Sequence, residues 1–228
     1  MMRHAFAAAA LLAAAPLAAQ STTQDDISAR YDRALAAGYK ALFLCSAIAN
    51  AERNGTTRTP ESVAAWELTG IQSPLDAVVH DLPYTIDRDS DGEIRQVVVE
   101  WAGDMPPRIA VHDSRRGCSQ LPIGGAPHPI RTKRPRINVE HGDPVEPAGA
   151  LSGSVGRAFG ETHGNGTRTT AVLVQRGGAV LGERYAPGFG PAVPQRTWSV
   201  AKSIAATLVG VAVLEGHAEV GREGDLGD

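Results

Sequence analysis

Thr197-Trp198-Ser199-Val200-Ala201-Lys202-Ser203, followed without a break by the apolar residues 204–214, is the stretch on which the reading of this chain turns. So long and uniformly apolar a run predicts a buried helix that begins at Ser199. Residues i and i+3 share one face of a helix, which places the Lys202 ammonium beside the Ser199 hydroxyl. This is the S-x-x-K spacing of a serine nucleophile with a lysine neighbour. A serine hydroxyl becomes a competent nucleophile only when an adjacent group takes its proton. A lysine can take it only where burial or nearby positive charge favours the neutral amine. The four-residue pattern is weak by itself, so its surroundings decide its meaning.

Upstream lie two strand-like runs, residues 170–175 and 179–185, joined across Arg176-Gly177-Gly178, whose glycines supply the positive φ of a tight hairpin. Residues 186–194 then carry Pro187, Gly188, Gly190, Pro191 and Pro194, too much Pro and Gly for helix or central strand. The order is hairpin, loop, serine, helix.

The run TTAVLVQRGGAVLGERYAPGFG (169–190) followed by TWSVAKSIAATLVGVAVLEG (197–216) resembles the serine hydrolases related to class C β-lactamases, D-alanyl-D-alanine carboxypeptidases and 6-aminohexanoate-dimer hydrolase. The resemblance covers about residues 150–220. It implies that Ser199 is the acylated nucleophile and Lys202 its proton acceptor. It also implies that the Ser199 backbone N–H, at a helix N-terminus, is one of two oxyanion donors. The family fold sets an antiparallel sheet against helices, with two strands before the S-x-x-K helix and the rest near the C-terminus. Its site also needs a Tyr-x-Asn type motif and a Lys-Thr-Gly or His-x-Gly type motif, and nothing after Lys202 supplies either. The chain is therefore expected to be the N-terminal part of a longer hydrolase and to be inactive alone.

Two function classes follow. The first is an exported serine hydrolase that transfers an acyl group from a small-molecule or peptide-like amide or ester, without cofactor or metal. The second is a non-catalytic exported ligand-binding or scaffold module. Sites of this type serve lactams, peptides, oligoamides and esters alike, so the substrate stays open.

The rest of the chain supports export. Residues 1–20, MMRHAFAAAALLAAAPLAAQ, have a short basic start, an Ala/Leu core and small residues before Gln20, the build of a secretory signal peptide. A membrane-spanning helix needs about twenty apolar residues, and no cysteine follows the core to take a lipid, so no stable anchor is expected after cleavage. Periplasmic or secreted placement puts Cys45 and Cys118 where a disulfide forms; two buried thiols are the alternative. A bridge would contribute on the order of 4 kcal/mol through loop closure.

With 228 residues, 43% hydrophobic, 21% charged and a formal net charge of -3, the composition is that of an ordinary folded protein. Scattered basic residues give no footprint for nucleic acid. The fold class expected is α+β: a small N-terminal α+β module (21–121), a Pro-rich linker (122–149) and the start of a β-lactamase-like domain (150–228).

In the module, Thr23 and Asp26 suggest a helix start, and Ile27, Tyr31, Ala34, Leu35, Leu42 and Ile48 form a stripe up to the Asn54-Gly55 stop, with Gly38 a weak point. Thr59-Pro60 begins a second helix. Residues 80–87, 93–101 and 108–112 read as strands of a small antiparallel sheet.

Several motifs reduce to turns or chance. Residues 87–92 open like an EF-hand loop, but its twelfth position is Val98 where a glutamate is needed, so a hairpin turn is expected. His112-Asp113-Ser114 holds the residue types of a triad on consecutive positions, which on a strand face opposite ways. Asn54-Gly55-Thr56 and Asn165-Gly166-Thr167 are sequons by pattern and turns by default. The basic run Arg131 to Arg136 reads as a solvated face; His141 and Asp143 have no partner nearby in sequence.

Overall fold

The computed structural model describes residues 4–126 and 142–221, with side chains from Thr23 onward. Most of the linker, with the basic run and His141, lies outside the described residues. The chain divides into two compact units, Met1–Pro194 and Gln195–Asp228.

The first unit is built on helix α1 (His4–Arg53), which is already helical before Thr23 and ends where Asn54-Gly55 was expected to stop it, with Gly55 at φ 75°. Its apolar first residues suit a signal sequence. The expected stripe is corrected: Ile27, Tyr31 and Leu35 are exposed, and the buried face is Ala34, Ala37, Ala41, Leu44, Cys45 and Ile48. Large side chains drew the stripe toward the wrong face. Small residues are what let a helix approach a sheet closely. Gly38 belongs to the same contact, since a Cβ there would come within 2.5 Å of Gln120 Nε2 and 3.1 Å of Arg108 Nη2.

Helix α2 (Pro60–Trp66) starts as expected, with the Ser62 N–H donating to Thr59 Oγ1 at 3.1 Å and Pro60 in the first turn. A short helix, α3 (Leu75–Val78), was not legible; with its flanks it supplies Leu68, Ile71, Leu75, Val79 and Leu82 to the core.

Four strands form an antiparallel meander in the order β1 (Tyr84–Arg88), β2 (Ile94–Val99), β3 (Arg108–Asp113) and β4 (Gly117–Gln120). The first strand starts four residues later than residue 80, because residues 79–81 form a 3₁₀ turn and Pro83 has no N–H to join a ladder. Lys40 sits on the buried face of α1 and donates to the carbonyls of His80 (2.9 Å) and Leu82 (2.7 Å), with its ammonium 5.0 Å from the Tyr84 ring centroid. Burial lowers its pKa, and the Asp81 charge opposes that shift. Helix α1 packs across β2, β3 and β4, and Val97, Val99 and Ala110 are fully buried beneath it. Cys45 on α1 and Cys118 on β4 form a disulfide, with Cα atoms 6.0 Å apart.

The doubtful motifs resolve into turns. Asp89 Oδ1 accepts the N–H groups of Asp91 (2.9 Å) and Glu93 (3.0 Å) in the β1–β2 hairpin. Asp113 Oδ1 accepts those of Arg115 (2.8 Å) and Arg116 (2.9 Å), which hold its carboxyl below the usual range, while His112 Nδ1 faces the Ile94 carbonyl.

The second sheet of the first unit is the expected hairpin, β5 (Ala171–Arg176) and β6 (Ala179–Tyr185), turning at Gly177 (φ 56°) and Gly178 (φ 84°). Residues 145–147 lie along β6: the Glu183 N–H donates to the Val145 carbonyl at 2.7 Å and the Val145 N–H to Glu183 Oε1 at 3.0 Å. Tyr185 Oη donates to Glu183 Oε2 at 2.5 Å; burial, then this carboxylate, pushes the phenol pKa up to about 12. Pro147 packs so closely on Gly182 that a Cβ there would lie 2.6 Å from the proline Cβ. Helix α4 (Ala150–Arg157), absent from the sequence reading, packs on β6 with Val155 buried.

The second unit is helix α5 (Val200–Leu214) and its flanks. The helix forms as expected but its burial does not, because no residue of it is buried and Leu208 (65%) and Leu214 (87%) stand in solvent.

Candidate active site

The first turn of α5 is wound tightly: the N–H groups of Val200, Ala201 and Lys202 donate to the carbonyls of Thr197, Trp198 and Ser199 at 3.0, 3.1 and 3.0 Å. Chain entry is strained, since Trp198 has φ 45°, a region bulky side chains rarely adopt. The Arg196 guanidinium stacks on its ring, 4.3 Å from the centroid, and helps to hold that conformation.

Ser199 stands at the N-cap with φ -70° and ψ -5°, and its side chain makes no capping bond. A capping serine has extended backbone and turns its oxygen onto the N–H groups of the next turn. The helical backbone of Ser199 leaves the hydroxyl for another partner, and Lys202 Nζ lies 3.3 Å from Ser199 Oγ. The two side chains paired by spacing are thus brought together.

As it stands the ammonium donates to the hydroxyl oxygen. Acyl transfer needs the reverse polarity, with Ser199 O–H donating to a neutral Lys202 amine as Oγ attacks a carbonyl. Both residues are exposed. The Ser199 N–H lies at the helix start, where aligned peptide dipoles favour a developing oxyanion.

A second group of residues was missed by sequence reasoning. Residues 186–194, the loop that leads to the serine, are held by the segment just after α1. Asn54 Nδ2 donates to the Ala192 carbonyl at 3.2 Å, with Thr56 Oγ1 3.5 Å from the same oxygen, and Arg58 Nη1 donates to the Pro194 carbonyl at 3.1 Å. Phe189 meets the Trp66 ring edge-on at 4.9 Å between centroids, with Arg58 5.2 Å from its own centroid, while Arg168 lies 4.1 Å from that of Trp66. The arginine and tryptophan there were visible, but no local pattern links residues more than a hundred positions apart.

Among the described residues no group of three or more His, Cys, Asp or Glu side chains is placed to hold a metal ion. Comparison of the chain with protein-family models, curated proteins and solved structures found no match.

Proposed function

We propose that this protein is an exported serine hydrolase, related to the class C β-lactamase and carboxypeptidase group, that works by acyl transfer from an amide or ester. Ser199 attacks the substrate carbonyl, Lys202 accepts its proton, and the Ser199 N–H supports the oxyanion; water then releases the acyl group. The observation that carries the reading is the 3.3 Å contact between Lys202 Nζ and a Ser199 hydroxyl that does not cap its helix. The apolar run at residues 1–20 and the Cys45–Cys118 disulfide support export to the periplasm or beyond.

The test is labelling of the whole exported protein with a fluorophosphonate or fluorescent penicillin. The reading expects a single adduct on Ser199 and none in Ser199→Ala. Equal labelling of that variant would end it.

The second reading, a non-catalytic ligand-binding or scaffold module, draws on one feature. Among the described residues nearly the whole buried core lies in residues 34–110. It expects no covalent adduct under any condition.

A further inference from the structure

We propose that Asn165 is a site of spontaneous deamidation, and that hydrogen bonds to α1 and to the loop at residues 186–194 shield Asn54 from the same reaction. The sequence Asn-Gly-Thr occurs at residues 54–56 and again at 165–167, so the same tripeptide stands in two different surroundings. Asparagine is among the thermally labile side chains. Before glycine the reaction is easiest, because no Cβ hinders approach of the glycine nitrogen to the asparagine side chain. That nitrogen attacks Cγ, the N–Cγ bond forms as the Cγ–Nδ2 bond breaks, and ammonia leaves with the proton that the amide gave up. Water then opens the cyclic imide. Cleavage on the Cγ side leaves aspartate, and cleavage on the main-chain side leaves isoaspartate, whose backbone runs through the side chain. Asparagine and water are consumed, an acid and ammonia are produced, and nothing is oxidised or reduced.

The step needs a glycine nitrogen that is not engaged and a side chain that can turn toward it. Asn165 and Gly166 are exposed and fill the central positions of a turn closed by the Thr167 N–H on the Gly164 carbonyl at 3.3 Å, with Thr167 Oγ1 donating to the same oxygen at 2.6 Å. Such a closure bonds the outer residues and leaves the central amides to solvent. Among the described residues neither the Asn165 side chain nor the Gly166 N–H has a hydrogen-bond partner, and no atom lies within 4 Å of where a Gly166 Cβ would stand. Asn54 is tied at both reacting atoms. Its Nδ2, the leaving group, donates to the Ala192 carbonyl at 3.2 Å, and the Gly55 N–H, the nucleophile, donates to the Glu52 carbonyl at 3.2 Å. The Thr56 N–H adds a bond to the Ala51 carbonyl at 2.8 Å, which fixes the tripeptide as the close of α1. Cyclisation there has to break bonds on both sides first, and this slows it by about tenfold or more.

The experiment incubates the chain in mildly alkaline buffer, once folded and once reduced and unfolded in guanidinium chloride. Peptide mapping follows both Asn-Gly sites, and isoelectric focusing follows the acidic isoform. In the folded chain aspartate and isoaspartate should accumulate at position 165 at least about tenfold faster than at position 54, and in the unfolded chain the two rates should converge. Asn165→Gln, which would have to close a larger ring, should lose the acidic isoform that builds up first. Asn165 that stays intact in the folded chain overturns the site, whatever the unfolded chain does. Conversion of Asn54 at the Asn165 rate in the folded chain overturns the shielding. A gap between the two positions that persists in guanidinium chloride overturns it as well, because flanking sequence rather than the fold would then set the rates. None of these outcomes depends on whether Ser199 acylates.

Discussion

Helices α1 and α5 are both long and apolar, yet α1 buries alanines, Leu44 and Ile48 against a four-stranded sheet while α5 buries nothing. Their compositions explain less of this than their neighbours do. Around α1 the chain provides a meander, two short helices and a disulfide, so small side chains suffice to build a core. Around α5 the second unit provides only flanking turns, so Ile204, Leu208 and Val209 remain in water although burying such side chains is worth roughly 1.5–3 kcal/mol each. Ser199 and Lys202 lie at the start of the helix that has no buried residue, and Arg58, which holds the Pro194 carbonyl, lies in the packed unit.

The largest effect expected from breaking the packed side is loss of its disulfide. Replacing Cys45 and Cys118 by serine opens a loop closed over a separation of 73 residues and should cost about 4 kcal/mol, read as a lower urea midpoint. An unchanged midpoint would mean that packing alone accounts for that stability.

A smaller effect should follow from Gly182→Ala. The new Cβ would lie 2.6 Å from Pro147 Cβ and 2.8 Å from Pro147 Cα, and the proline backbone cannot yield as a side-chain end can. Separation of residues 145–147 from β6 should cost about 1–3 kcal/mol, with faster hydrogen exchange at the Glu183 amide that donates to Val145. Exchange at wild-type rate would remove this contact from the account.

On the open side the expectation is almost no effect. Leu208 is 65% exposed, so Leu208→Gln should shift unfolding of the chain by less than about 0.5 kcal/mol. A loss of 2 kcal/mol or more would show that α5 is covered after all.

What the sequence made legible follows the range of the signals. The β5–β6 hairpin, the Thr59 cap, the α1 stop and the helix after Ser199 each rest on residues a few positions apart, and each formed. Helices α3 and α4 and strand β4 escaped because four to eight residues carry too little period. The buried face of α1 was misplaced because alanine gives a weak hydrophobic signal, although the sheet selects it for close approach. The Ser199–Lys202 contact was readable from spacing. Its strained entry at Trp198 and the Arg58 anchor were not, since both depend on backbone geometry and partners far along the chain.

The measurement closest to the central claim is peptide mapping of the protein after fluorophosphonate treatment. The account predicts one adduct, on Ser199, absent from Ser199→Ala and formed slower by roughly three orders of magnitude in Lys202→Ala. An adduct on another residue, or acylation of Ser199 at an unchanged rate without Lys202, would contradict it.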